Sequence, residues 1–281
     1  MRIHAIETGR VRVKASQLVG HGHDLARRLA PIFDGKWSGW LPTYAFAVEH
    51  RDGVALIDTG ANAGLNRLPR WHPYFQLAVK FDIEPEQEAG AQLRALGIGR
   101  NDVKLIVLTH LHIDHDGGLA AFPHARVLVS PGERAAASGL MGRLNGYLPQ
   151  RWPAHFDPEP LVFADAPYGP FARSRRLTAD GALVALPTPG HTPDHVSVAL
   201  EDGERRIVFV GDAAYSQDNL LAGRVDGVSP KAAVARDTMA RLAALAAERP
   251  TLLLPAHDPG AADRLARGEA APIGVAAARA A

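Results

Sequence analysis

Residues 109–118 read "THLHIDHDGG" and directly follow the apolar run "VKLIVL" (103–108). Three histidines and two aspartates fall within ten positions of a chain that holds 13 histidines in all. A short run rich in Val, Leu and Ile predicts a buried strand, so His110, His112, Asp114 and His115 sit in the loop at its end. The arrangement recurs three times downstream: "LVALPTPGH" ends in His191, "RIVFVGD" in Asp212 and "TLLLPAH" in His257. In α/β sheets the loops at strand ends are free of the hydrogen-bond ladder and converge on one crevice. Four strand ends therefore carry metal-ligand side chains toward a common place.

Working outward, "YAFAVEH" (44–50), "GVALIDTG" (53–60), "ARVLVS" (125–130) and "HVSVAL" (195–200) complete a set of short strands bounded by Gly, Pro, Asp or His. Helical stretches fall between strands. Pro85 to Leu96 stops at Gly97, and Ser229 and Pro230 read as an N-cap and first-turn proline ahead of "KAAVARDTMARLAALAAE". The alternation predicts an α/β fold, read as a single domain over 1–281 without tandem repeats. Residues 139–176 are proline-rich and aperiodic and read as a lid or insertion. The low-complexity tail from about Ala270 is expected to fray.

The composition removes several classes of function. At 281 residues and 47% hydrophobic side chains the chain can bury a substantial core. Thirty-one Lys and Arg balance 30 Asp and Glu, with no long block of like charge, which argues against a nucleic-acid binder. No stretch approaches a membrane span of about 18 apolar residues, and the N-terminus "MRIHAIETGRVRVKAS" alternates polar and apolar residues, unlike a signal peptide. The expectation is a soluble, cytoplasmic protein. With no cysteine, any metal must be held by imidazole and carboxylate.

His110, His112, Asp114, His115, His191, Asp212 and His257 make five imidazoles and two carboxylates. One catalytic zinc takes three protein ligands and leaves a position for water, so seven suffice for two ions. A carboxylate such as Asp212 can bridge both, and a two-metal site holds a hydroxide between ions roughly 3.5–4 Å apart. Zinc suits this set, with manganese, cobalt or iron also admitted.

The His-x-His-x-Asp-His run, with the later His, Asp and His, resembles the metallo-β-lactamase fold superfamily over about residues 42–260. The resemblance implies an αβ/βα sandwich of two facing mixed β-sheets flanked by helices, with a dinuclear site along one edge. It implies that His110, His112 and His191 hold one divalent ion and Asp114, His115 and His257 the other, bridged by Asp212. For Asp58 in "LIDTG" it implies orientation of a ligand histidine; capping of the "DTG" turn is the rival reading. Asp212 stands where the commonest subclass of zinc β-lactamases uses cysteine, which argues against antibiotic hydrolysis by that subclass.

Tyr215, three residues after Asp212 in "GDAAY", together with "TPGHTPDH" (188–195) makes the chain similar to the N-acyl homoserine lactone lactonases, the quorum-quenching group. The implied reaction is lactone opening by a metal-bridging hydroxide. Tyr215 would serve the oxyanion and Asp114 would shuttle the proton. A thioesterase or phosphoester hydrolase of the glyoxalase II or organophosphate-degrading kind, built on the same centre, is the alternative. The expected partner is a small lactone or ester; the oligomeric state, a homodimer among the options, is open. His195 reads as structural, His21 and His23 as an exposed loop. Trp37, Trp40, Tyr147, Trp152, Phe156 and Phe171 fit an acyl-chain pocket or a lid core equally well.

Overall fold

A computed structural model describes residues 1–69 and 71–273. Twelve strands among them form two sheets. The strands are β1 (Arg2–Val13), β2 (Leu41–His50), β3 (Gly53–Ile57), β4 (Val79–Asp82), β5 (Val103–Val107), β6 (Arg126–Val129), β7 (Glu159–Pro160), β8 (Arg175–Arg176), β9 (Leu183–Pro187), β10 (Val196–Asp202), β11 (Arg205–Gly211) and β12 (Thr251–Pro255). The first sheet runs β4-β1-β2-β3-β5-β6-β7 and the second β12-β11-β10-β9-β8. Both are mixed: β3, β5, β6 and β7 pair in parallel, as do β11 and β12, while the remaining pairs are antiparallel. The helices are α1 (Ala15–Leu18), α2 (Asp24–Phe33), α3 (Pro73–Leu77), α4 (Ala89–Ala95), α5 (Pro131–Ala136), α6 (Gly139–Leu144), α7 (Gln217–Leu221), α8 (Ala232–Ala247) and α9 (Ala261–Arg267).

The layering follows from the period-2 alternation of strand side chains. Tyr44, Phe46 and Val48 point from β2 into the space between the sheets, meeting Val198, Leu200, Ile207 and Phe209. The intervening Ala45 and Ala47 face outward with Val54, Leu56 and Ile106, and are covered by Ala89 and Leu93 of α4. On the far side Val184, Val208 and Val210 face Met239, Leu242 and Leu245 of α8. Each sheet is thus buried on both faces, which is why the strands read as near-continuous apolar runs. The order helix, sheet, sheet, helix is the expected αβ/βα sandwich.

All eight sequence-read strands are present. Two were not read. β1 carries alternating polar residues because it lies between β2 and the short β4 near a sheet edge, and β4 has only four residues. Pro85–Leu96 divides into a 3₁₀ turn at Pro85–Gln87 and α4. Ser229 does not cap α8; that helix begins at Ala232, and its first N–H is accepted by Asp24 Oδ1 of α2 at 3.0 Å. Ser229 instead donates to Asp226.

Within 139–176, residues 144–147 line the cavity described below, whereas 159–160 and 175–176 add strands to the two sheets. Ala271 at the start of the expected tail donates to the Thr251 carbonyl at 2.8 Å, and Ile273 packs against the α8 layer. Residues 274–281 of that tail lie outside the described residues.

Candidate metal centre

β3, β5, β9, β11 and β12 end at the same edge of the sandwich, and the residue or loop after each carries a site side chain: Asp58, the 109–116 loop, His191, Asp212 and His257. Two glycines permit the approach. Gly211 has φ +60°, and a Cβ there would lie 2.7 Å from His195 Nε2 and 2.9 Å from Thr109 Cβ. At Gly118 a Cβ would meet the Thr59 carbonyl oxygen at 2.3 Å. Any side chain at either point would push two strand-end loops apart.

The histidines are held by their outer nitrogens. His115 Nδ1 donates to Asp58 Oδ2 at 2.8 Å, and His257 Nδ1 to the Pro42 carbonyl at 2.9 Å. His191 Nδ1 donates to Asp226 Oδ2 at 3.3 Å. The Thr109 hydroxyl gives its proton to Asp58 Oδ2 at 2.9 Å, so its oxygen accepts from His110 Nδ1 at 3.0 Å. Each partner is an acceptor in its bond, which fixes a proton on Nδ1 and leaves Nε2 as the nitrogen turned toward the site.

The inward nitrogens face one another. His110 Nε2 lies 3.0 Å from His112 Nδ1, and His191 Nε2 lies 3.1 Å from the same atom. Asp212 divides its oxygens: Oδ1 is 3.3 Å from both His115 Nε2 and His257 Nε2, and Oδ2 is 3.5 Å from His191 Nε2. Asp114 Oδ2 is 3.6 Å from His257 Nε2. Three overlapping groups result, each able to direct its ligand atoms at one point: His110, His112 and His191; His110, His115 and Asp212; and Asp114, His115 and His257. The structure brings together all seven residues singled out in the sequence.

Their surroundings suit a cation. Burial and the neighbouring imidazoles hold His110 and His112 well below the ordinary histidine range, so both present lone pairs at neutral pH. Burial would raise Asp212, but His257 and His115 outweigh it and keep the carboxylate ionised. His115 Nε2 and Asp212 Oδ1 are buried without a hydrogen-bond partner. Orphaned ligand atoms of this kind are costly unless a cation satisfies them, and the donor set of imidazole and carboxylate fits a divalent ion.

His195 is committed elsewhere. Its Nε2 accepts the Asp212 backbone N–H at 3.0 Å, and its Nδ1 bonds the Thr188 hydroxyl at 2.9 Å. Burial and nearby His191 push it down to about 3, so it stays neutral and orients Asp212. Asp116, the second aspartate of the opening run, turns away to accept from the Trp152 indole.

Tyr215 is buried beside the cluster, its ring stacked on His257 at 5.4 Å between centroids and 24° between planes. Burial and Asp212 hold the phenol well above its usual range, so it remains a proton donor. The cluster opens into a cavity of about 530 Å³ floored by His112, Asp114, His191, Asp212, Tyr215 and His257. Leu25, Leu29 and Ile32 of α2 form one apolar wall, and Phe75, Val79 and Phe81 another. Of the aromatics left open above, Tyr147 reaches this cavity, Trp152 and Phe156 pack beneath α4's layer, and Phe171 packs under α8.

Several supporting residues escaped the sequence reading. Asp226 in "RVDGVS" holds His191 while its Oδ1 accepts from Val228 and Ser229 N–H; an Asp followed three positions later by Ser was the available signal. Glu133 accepts from Leu111 N–H and the Tyr147 hydroxyl, and Gln17 bonds Tyr215. Neither carries a local motif.

The metallo-beta-lactamase superfamily model matches residues 38–257. A probable metallo-hydrolase of Mycobacterium tuberculosis is 34% identical over 188 residues, which are 64% of this chain and 59% of that protein; the chain thus spans less than two thirds of that relative. The N-acyl homoserine lactonase AttM of Azorhizobium caulinodans is 28% identical over 79% of this chain and 83% of its own. Among solved structures, an N-acyl homoserine lactone hydrolase with N-hexanoyl-L-homoserine at its catalytic metal centre superposes with a TM-score of 0.72 at 20% identity, covering 92% of this chain and 93% of that one. No helix among the described residues is long and apolar enough to cross a membrane. A family match across most of the chain, on a sandwich whose strand ends gather the family's ligand types, establishes that this chain belongs to the metallo-beta-lactamase superfamily, whose hydrolases use divalent metal ions.

Proposed function

We propose that this metallo-hydrolase opens lactone rings, N-acyl homoserine lactones foremost, and so acts as a quorum-quenching enzyme. In this reading His110, His112 and His191 hold one divalent ion and Asp114, His115 and His257 a second, with Asp212 shared, and zinc is the favoured metal. The observation that carries the proposal is Tyr215, whose ring stacks on His257 and whose side chain lines the cavity that Asp212 and Asp114 floor. The lactonase relatives of similar length support it.

Bound there, the ions would supply Lewis acidity toward the carbonyl oxygen and a water acidic enough to attack at neutral pH. The protein's own groups do the rest. Tyr215 donates to the carbonyl oxygen as charge develops on it. Asp114, partly exposed at the cavity floor, receives the proton of the attacking water and returns it to the departing alkoxide. The walls from α2 and from Phe75, Val79 and Phe81 take an apolar acyl chain and exclude water around the ring.

Acid release across a panel of lactones, thioesters and phosphotriesters, with metal quantified on the same sample, tests the proposal. Lactones are expected to lead, and preferential turnover of a thioester or phosphotriester would replace it. Tyr215→Phe keeps the ring and deletes the donor. Because a bound divalent ion would also supply Lewis acidity to that oxygen, kcat on lactones is expected to fall roughly 10- to 100-fold, with metal content unchanged and a smaller effect on activated esters.

A further inference from the structure

Gln17 lies on α1, far from the metal-binding loops in sequence, yet its side chain is buried at 3% exposure on the wall of the same cavity. Its amide joins two phenols. The Tyr74 hydroxyl donates to Gln17 Oε1 at 2.9 Å, and Gln17 Nε2 donates to Tyr215 Oη at 2.8 Å. The backbone beneath is pinned from both sides: Gln17 N–H donates to the Lys14 carbonyl at 2.9 Å, and the Gln17 carbonyl accepts from Gly227 N–H at 2.8 Å.

The direction of these bonds matters. A phenol has one proton to give. Because Tyr215 accepts from Gln17, its own proton points away from that contact, toward the cavity. Were the amide reversed, Oε1 would take the Tyr215 proton and leave no donor for a substrate oxygen. Tyr74 donates to Oε1 in this arrangement, so the amide oxygen already has its partner and Nε2 faces Tyr215. We propose that Gln17 is a positioning residue, which with Tyr74 aims the Tyr215 hydroxyl proton at the substrate carbonyl; this rests on the role given to Tyr215 above.

Gln17→Glu separates this from simple packing, since it keeps the shape and replaces the N–H donor with an acceptor that captures the Tyr215 proton. With the fully metallated protein, kcat on a lactone is expected to drop to about the level of Tyr215→Phe, roughly 10- to 100-fold. KM should stay within about 2-fold and metal content unchanged. The double variant Gln17→Glu/Tyr215→Phe should be no slower than Tyr215→Phe alone, because both changes remove one interaction. Should Gln17→Glu not fold, Gln17→Met removes the amide without adding charge and completes the same cycle. Unchanged kcat in a folded, metallated Gln17 variant overturns the proposal. So do losses that multiply with Tyr215→Phe, which would mean that Gln17 acts on substrate or packing independently. Failure of the lactonase reading looks different: wild-type protein opens no lactone, and the cycle is then decided on whichever panel substrate it turns over fastest.

Discussion

Asp58 is the only residue other than glycine with positive φ (58°) among the described residues. A left-handed backbone costs an aspartate on the order of 1 kcal/mol. Three bonds offset it, since the Asp58 carboxylate accepts from Thr109 N–H at 2.7 Å, the Thr109 hydroxyl and His115 Nδ1. All three bonds run to the 109–115 loop and none to Thr59 or Gly60, so the Asp58 carboxylate orients His115 rather than capping the "DTG" turn. At this scale the contrast between Asp212 and His195 is the sharpest test of the ligand assignment. Asp212→Ala removes the carboxylate that faces His115, His257 and His191 at once, so both activity and metal content are expected to collapse. His195→Ala instead leaves the buried Asp212 N–H without its acceptor. It should retain metal while losing about 1–3 kcal/mol of stability. Metal analysis beside denaturant unfolding of the two variants measures this, and the reverse pattern would reassign the histidines after "TPG".

Among the elements, α2 is the one whose placement sequence patterning explains least. Its residues Leu25, Leu29 and Ile32 face the cavity while Leu25 and Phe33 remain largely exposed, so apolar burial alone does not hold it. Arg27 does much of that holding. Its guanidinium is buried, donating to the Asp226 carbonyl at 2.6 Å and the Ser229 carbonyl at 2.7 Å, and it also meets Asp24. Asp24 in turn caps α8. The cavity wall is therefore latched to the loop whose Asp226 side chain supports His191. Arg27→Ala deprives two carbonyls of their donor and is expected to cost about 2–3 kcal/mol of stability. It should also raise KM for long-chain lactones more than it lowers kcat, because the wall loosens while the metal ligands stay. Steady-state kinetics on short and long acyl chains checks this; equal effects on both would place the wall's role elsewhere.

For the whole molecule, the site is where the two sheets meet. β3 and β5 of one sheet and β9, β11 and β12 of the other deliver their ends to it. A cation bound there ties together segments more than 190 positions apart, from Asp58 to His257. Its binding energy adds directly to folding, by about 2.7 kcal/mol when free metal stands at 100 times its Kd. For a chain of this size that is a fall in Tm of roughly 4–5 °C on chelation. Differential scanning calorimetry before and after chelation, with hydrolysis assayed in parallel, is expected to show that fall together with loss of activity. Divalent metal should restore both at about two ions per chain. Full activity at well under two ions per chain would exclude the shared-carboxylate arrangement.

The sequence by itself determined the strands whose both faces are buried, because their apolar runs need no context, and it determined the seven candidate ligands, because each directly follows such a run. It could not reveal β1, whose polar alternation reflects its place near a sheet edge, or the start of α8, whose cap comes from Asp24, 208 positions away. The same holds for the groups that orient the site. Asp226, Glu133, Gln17 and the Pro42 carbonyl act across gaps that no local pattern records. Ligand identity is a property of side-chain chemistry at strand ends, readable one segment at a time. Which nitrogen carries the proton, and which way the Tyr215 hydroxyl points, is set by acceptors and donors that only folding brings within 3 Å or so.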